Sequence, residues 1–299
     1  MAGSFSDSSA QRSEQGSEQR SEQRSEQQAE QGADGRHSCE ASRDVSHETG
    51  SVSIIIPMLN EATVLARTLR NVGALCPAPQ EVILVDGGSG DETMAIANRA
   101  CSTALKAIPT QVLTTATCGR GIQMNRGAKA ATGEVLCFLH ADTLVPDDLL
   151  SVIEATLGDR RCVGGGFVSL MAGQTHIRWG VTLHNVLKTY YAPLLFRPHQ
   201  FFRGLRILFG DQAIFCRRRP FWICGGFDES LPLMEDADLC CRLYRQGKLR
   251  LVNRTVQVSD RRVAKLGTIK ANWLYFSIGF LWGLGVSAAY LKQFYDDIR

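Results

Sequence analysis

The sequence predicts an α/β protein built on an open, mostly parallel sheet with helices on both faces. Three observations carry that reading. Short continuous apolar runs, rather than alternating ones, fill the positions expected of strands covered on both sides. Stretches of helical periodicity separate those runs. Polar segments at residues 57–61, 86–91, 118–120 and 140–142 each follow a run. The carboxyl ends of parallel strands open onto one crevice, so segments far apart in sequence meet there. That crevice is the predicted nucleotide site.

Taken in order, residues 52–56, 82–85, 111–115 and 135–139 are the first four strands. After the first, Asn60 is placed to cap a helix that buries Val64, Leu65, Leu69 and Val72. After the second, Ser89 and Glu92 have capping-box spacing for a helix through Met94, Ile96 and Ala97. Right-handed crossovers then make the first half a unit of the nucleotide-binding kind. Farther on, Gly164, Gly165 and Gly166 precede an expected edge strand at 167–170, and residues 213–216 and 251–258 read as strands. Residues 190–202 are expected to form a mobile lid. A helix opening near Glu235 buries Leu239 and Leu243 and pairs Asp238 with Arg242 on its surface.

Composition bounds the rest. Residues 1–49 repeat Ser-Glu-Gln with hardly a large apolar side chain, which predicts a disordered low-complexity tail. Residues 50–268 form the expected catalytic domain and 269–299 a hydrophobic C-terminal helix. Through residue 50 there are ten acidic residues and five arginines, about −5, which leaves about +8 of the net +3 on the remainder. That excess suits phosphorylated ligands and is too dispersed for nucleic acid. The ten cysteines contain no Cys-x-x-Cys pair, and several sit inside apolar runs, so packing and an intracellular, reducing compartment are expected. No apolar signal segment is seen at the amino end.

Acidic residues at two places, Asp142 and the pair Glu235 and Asp236, bear the chemistry. Asp142 ends the most apolar strand, where a carboxylate either caps the next turn or binds a divalent ion together with diphosphate oxygens. Glu235 and Asp236 open a helix; helix-start charge preference explains them, and so does a base kept ionised by the helix dipole.

Five ordered motifs add to this: residues 53–61, 85–91, 138–142, 225–229 and 235–239. Together they resemble the family 2 glycosyltransferases of GT-A fold over roughly residues 51–262. Residues 119–128, the His-Ala-Asp triplet, residues 210–215 and residues 259–262 look like a subgroup often labelled arsenosugar-biosynthesis glycosyltransferases, a label that establishes no substrate.

The resemblance implies roles. Pro57, Asn60 and Glu61 correspond to the loop around the nucleoside, Asp86 to the acid that contacts the base, and Asp91 to a second acid of that loop. Asp142 matches the last carboxylate of the Asp-x-Asp metal motif, which implies Mg²⁺ or Mn²⁺. Asp236 matches the general base of inverting members. His140 stands where the first metal-motif Asp is usual, and its imidazole can bond ribose or a metal-bound water. Gly87 replaces the second of the usual paired acids. Arg262, with Arg120 in reserve, is the cation expected against the leaving diphosphate; a solvated basic turn at Arg261 and Arg262 is the alternative. Asp211, Gln212 and Glu235 are the expected acceptor contacts.

The implied reaction is inverting transfer of a sugar from a nucleoside diphosphate sugar, commonly a uridine diphosphate sugar, to a small-molecule or lipid acceptor hydroxyl. A catalytically inactive sugar-nucleotide binder is one alternative, favoured by His140. A nucleotidyltransferase is another, although the Gly-rich activating loop is absent after the first strand. A dehydrogenase is disfavoured because no Gly-x-Gly-x-x-Gly follows Ile56. Residues 271–291 carry no charge, with Lys270 and Lys292 flanking and Gly279, Gly283 and Ser287 at four-residue spacing. That length suffices to cross a bilayer; a helix lying on a membrane, or docked on the enzyme or on a second subunit of a homodimer, fits as well.

Overall fold

A computed structural model of the 299-residue chain describes residues 51–173 and 177–296. The expected tail, residues 1–49, lies outside them. Among the described residues eight strands, numbered along the chain, form one sheet in the order β3-β2-β1-β4-β7-β6-β8-β5. The first four are β1 (Val52–Met58), β2 (Glu81–Asp86), β3 (Thr110–Thr114) and β4 (Val135–Phe138). They pair in parallel, with Ile54 opposite Val82 and Cys137. Their unbroken apolar runs have a physical cause. Ile54, Ile56, Leu84 and Cys137 enter one core, while Ile55, Ile83, Val85 and Phe138 enter the other. Successive side chains point to opposite faces, and both faces are covered.

Helix α1 (Ala62–Gly73) buries Leu65, Leu69 and Val72 as predicted, and joins α2 (Thr93–Ser102) on the first core. Helix α3 (Arg120–Ala130) covers the second core; a Cβ at Gly127 would run into Ile55, so only glycine lets it lie this close. The predicted caps are not used. Helices α1 and α2 start one residue after Glu61 and Glu92 without side-chain caps, because Asn60 and Ser89 are engaged between loops instead.

The second half is built around β6 (Cys162–Ala172), β7 (Phe215–Arg217) and β8 (Lys248–Ser259). Strand β6 is not an edge: it pairs antiparallel with β7 and parallel with β8, and the short β5 (Thr143–Leu144) takes the edge beyond β8. Helix α4 (Leu149–Leu157) links β5 to β6. The stretch expected as a lid is regular structure, the end of α5 (Trp179–Phe196) and α6 (Pro198–Phe202). Helices α7 (Arg218–Ile223), α8 (Glu235–Leu243) and α9 (Arg261–Leu266) complete the framework.

The apolar C-terminal run is broken at Leu284, and Gly285 takes φ 95°. Two helices result, α10 (Thr268–Gly283) and α11 (Ala288–Asp296), in place of one. No helix among the described residues is long and apolar enough to cross a membrane. Cys76 is disulfide-bonded, an exception to the packing expected of the cysteines. Cys137, Cys162, Cys216 and Cys240 are free and buried as expected, and burial pushes the Cys137 thiol up to about 12.

Candidate active site

The wall of the crevice over β1 and β2 is two interlocked loops. Asn60, at φ 55°, accepts a hydrogen bond on Oδ1 from Gly90 N (2.9 Å), and its own N–H donates to Ser89 Oγ (3.0 Å). Asparagine tolerates this left-handed conformation. Glu61 N donates to Thr93 Oγ1 (2.8 Å) and Ala62 N to Asp91 Oδ2 (3.2 Å). Asp91 also accepts from Thr93 N (2.9 Å), and the Thr93 hydroxyl is the largest cause holding its carboxyl below the usual carboxylate range. Asp86 is buried and accepts from Gly88 N, Ser89 N and Ser89 Oγ at 2.9, 3.0 and 2.5 Å. Both acids therefore shape the loop. Pro57 lies within β1 opposite Val85.

Sequence reasoning passed over the residue that ties these strand ends together. Gln123 of α3 is buried and donates to Met58 O and Val85 O, each at 2.8 Å. Two turns of polar residues on a face that must pack against the sheet are the sign that could have found it, since a buried amide needs carbonyl partners. Asn125, on the same helix, donates to Phe227 O and Glu229 Oε1 and accepts from Phe227 N, all at 2.9 Å. It thereby holds the loop that leads into α8.

At the mouth of β4 the motif residues face two different neighbours. Asp142 Oδ2 stands 3.5 Å from Arg261, whose guanidinium also donates to Glu61 Oε2 (2.7 Å). Arg261 thus joins the first loop to the end of β4. The side chain of Arg262, the cation expected here, lies outside the described residues. His140 turns the other way, toward Gly210: a Cβ there would collide with His140 Nε2 and stand 2.9 Å from Asp236 Oδ2. One glycine therefore lets the imidazole and the Asp236 carboxylate approach the same spot.

Helix α8 begins after Met234, which takes φ 67°. Asp236 is 6% exposed; its Oδ2 accepts from Gly210 N (2.8 Å), and its Oδ1 is buried with no hydrogen-bond partner. Burial first, and the neighbouring Glu235 second, push its carboxyl up to about 7, against the pull of Arg120. Glu235 is buried and paired with Arg120 at 3.2 Å. The predicted Asp238–Arg242 pair forms at 2.5 Å, but it is half-buried: Arg242 also donates to the carbonyls of Cys224 and Gly226.

Asp211 accepts on Oδ2 from Asn185 Nδ2 (2.8 Å) and Ser169 Oγ (3.0 Å). Gln212 is fully buried, its amide accepting from Phe209 N and donating to Thr189 Oγ1. Lys188 was not anticipated. Its ammonium sits 3.8 Å from the centre of the Phe209 ring and faces Asp211 and Asp236, while burial lowers its proton affinity.

Residues fit a metal only in part by themselves. Among the described residues no group of three or more His, Cys, Asp and Glu side chains is arranged to hold an ion. Asp142, a single partly exposed carboxylate at the strand end, is nevertheless the donor set Mg²⁺ or Mn²⁺ uses when diphosphate oxygens and water supply the rest.

A parallel half with a crevice at its strand ends and an antiparallel β7 define an α/β protein of GT-A fold. The chain belongs to glycosyl transferase family 2, whose description matches residues 53–222. A PGL/p-HBAD biosynthesis glycosyltransferase of Mycobacterium bovis is 31% identical over 195 residues, covering 64% of this chain and 69% of the relative. A pre-mycofactocin glycosyltransferase of Mycobacterium tuberculosis is 28% identical over 202 residues, 66% of this chain and 39% of that protein. Among solved structures, a mannosyltransferase of Pyrobaculum calidifontis in complex with GDP-Man and Mn²⁺ superposes with TM-score 0.56 at 18% identity, over 77% of this chain and 64% of that one. S. aureus TarS in complex with UDP-GlcNAc gives TM-score 0.52 at 17% identity, over 70% and 58%. This chain thus spans less than two thirds of either solved chain.

Proposed function

We propose that the protein moves a sugar, with inversion, from a nucleoside diphosphate sugar to an acceptor hydroxyl, and that Asp236 is the base. The observation that carries this is the state of Asp236: buried, anchored through one oxygen, with the other oxygen unpartnered and the carboxyl raised to about 7. A base is most useful when its proton affinity lies near the working pH. The unpartnered Oδ1 takes the acceptor proton as the acceptor oxygen attacks the anomeric carbon. The bond from that carbon to the diphosphate breaks on the opposite face, and its electron pair leaves with the phosphate. Gly210 N–H fixes the carboxylate, and Arg120 restrains Glu235 so that the two acids do not share one proton freely.

On the donor side, Asp86, Asp91, Asn60 and Glu61 hold the nucleoside pocket in shape, with Pro57 setting the end of β1. Arg261 takes the part expected of Arg262, presenting positive charge at the crevice beside Asp142. Asp142 would hold Mg²⁺ or Mn²⁺, which supplies electrostatic stabilisation of the leaving diphosphate when bound. A uridine diphosphate sugar is the first donor to try and GDP-mannose the second, in view of what the two solved relatives hold. The arsenosugar-labelled subgroup rests on the motifs alone and adds no substrate.

Asp236→Asn is the test. Sugar transfer from UDP- and GDP-sugars is expected to fall about 10²- to 10⁴-fold, with the UDP-induced rise in melting temperature retained. Near-normal turnover in the folded variant would reject the base. Nucleotide binding without any transfer by the wild type would favour the inactive binder, and pyrophosphate release the nucleotidyltransferase.

A further inference from the structure

We infer that the acceptor is a hydroxyl compound with an apolar chain, and that the chain lies in a cavity between α5, the α10–α11 break and the start of α8. The inference rests on the transferase reading and names its substrate class. The cavity has a volume of about 390 Å³, and its walls include Pro193, Phe196, Phe209, Met234, Gly279 and Trp282. Its lining is mostly apolar, with Arg197 and Ser287 among the polar exceptions, a composition suited to a hydrocarbon chain more than to a sugar.

Position links it to the chemistry. Met234 is the residue immediately before Glu235 and Asp236, and Phe209 is the residue immediately before Gly210, the donor to Asp236 at 2.8 Å. Two walls of the cavity are therefore two residues from the base and one residue from the group that anchors it. A chain seated there lies against the segments that carry Asp236 and Gly210.

Sequence explains why the space exists. Gly279 faces it, and a Cβ there would meet nothing within 4 Å. Gly285, Ser287 and Ala288 at the helix break are also small. Protein interiors elsewhere are close-packed, so a carbon-lined gap kept open by small residues points to something that fills it. Outside, α5 and α10 expose Leu183, Leu187, Ile269 and Trp273 at 59, 50, 88 and 72%. Those residues give an apolar chain exposed apolar contacts on the same two helices.

Alkyl β-D-glucosides with chains of four to twelve carbons, kept below micelle-forming concentrations, are the probes. Calorimetric titration in the presence of UDP is expected to show affinity rising about fourfold per added methylene until the cavity is full. Gly279→Phe, which fills the space without backbone strain, is expected to flatten that dependence to near unity, and Gly279→Leu to halve the number of carbons that still contribute. The UDP-induced rise in melting temperature serves as the control for folding and for the donor site. Affinity independent of chain length in the wild type overturns the inference, as does a slope that survives Gly279→Phe. Both readings are of binding, so they decide the acceptor class even where no sugar transfer is detected; absence of transfer counts against the transferase reading alone.

Discussion

The two halves of the sheet are held together by different physics. Around β1 and β2, loops are stitched by short polar contacts: Asn60 to Gly90, Ser89 to Asp86, Gln123 to two carbonyls. Around α5, α10 and α11, packing is apolar, glycines leave room, and large side chains stand in solvent. In the first region each of these polar groups has a specific partner; in the second, α5 makes polar bonds toward the sheet side, through Asn185 and Thr189, and its contacts around the cavity are apolar. A transferase has reason for both, since one ligand offers hydrogen-bonding edges and the other is taken here to be hydrocarbon. Asp236 lies where they meet.

The largest effect that sharpens this contrast is pH. With Asp236 raised to about 7, turnover is expected to be flat above that value and to fall about tenfold per unit below it, near 100-fold by pH 5. UDP affinity, which depends on loops whose Asp91 carboxyl is held low, is expected to change little over the same range. A rate profile without a rising limb near neutrality breaks the assignment. Stability provides the second arm. A carboxyl raised on folding is protonated in the native state while already ionised when unfolded, so its contribution declines as pH climbs from about 4 through about 7. Asp91, lowered on folding, acts with the opposite sign and loses its contribution only as pH falls through its folded value. The gain in melting temperature from Asp236→Asn is therefore expected to grow from pH 4 to 7 and level off above.

Next in size is Gln123→Leu. It leaves buried carbonyls at the ends of β1 and β2 short of donors, a loss of about 1–3 kcal/mol in urea unfolding. The UDP-induced rise in melting temperature should fall with it, because the loops above lose their footing. Unchanged stability would mean the stitched half draws its rigidity from packing after all. Arg261→Ala comes next, and should weaken UDP binding about tenfold through loss of one charge-assisted contact, with little change in melting temperature since the pair with Glu61 is partly exposed.

The same division governs what was legible in the sequence. The parallel half could be read almost residue for residue, because a strand buried on two faces writes an uninterrupted apolar run and Leu65, Leu69 and Val72 write a helical stripe. Asp142 and Asp236 were visible because motifs hold them at strand and helix ends. What stayed hidden depends on which residue a side chain reaches. Nothing local says that Asn60 bonds Gly90 rather than capping α1, that His140 shares Gly210 with Asp236, or that Arg261 spans Glu61 and Asp142. The C-terminal run misled for a related reason: hydropathy sums over 21 residues, whereas one left-handed glycine at 285 ends a helix. The interior place of β6 was missed because its glycines suggested a weak edge, when they admit the backbones of β7 and β8 on either side.

The smallest expected effect tests the apolar half from outside. Leu187→Ser and Trp273→Ser remove large side chains that are 50 and 72% exposed, so each should shift stability by no more than about 0.5 kcal/mol. Residues that matter to folding are seldom so exposed, and a larger loss would mean these stripes are covered in the native protein by something the isolated chain supplies. If stability holds, the stripes owe their apolar character to contact with a partner or substrate, because water gives no reason to keep leucine and tryptophan there. The alkyl glucoside titration on the double variant then separates route from seat: a slower approach with unchanged final affinity assigns the stripes to delivery, and the cavity alone to binding.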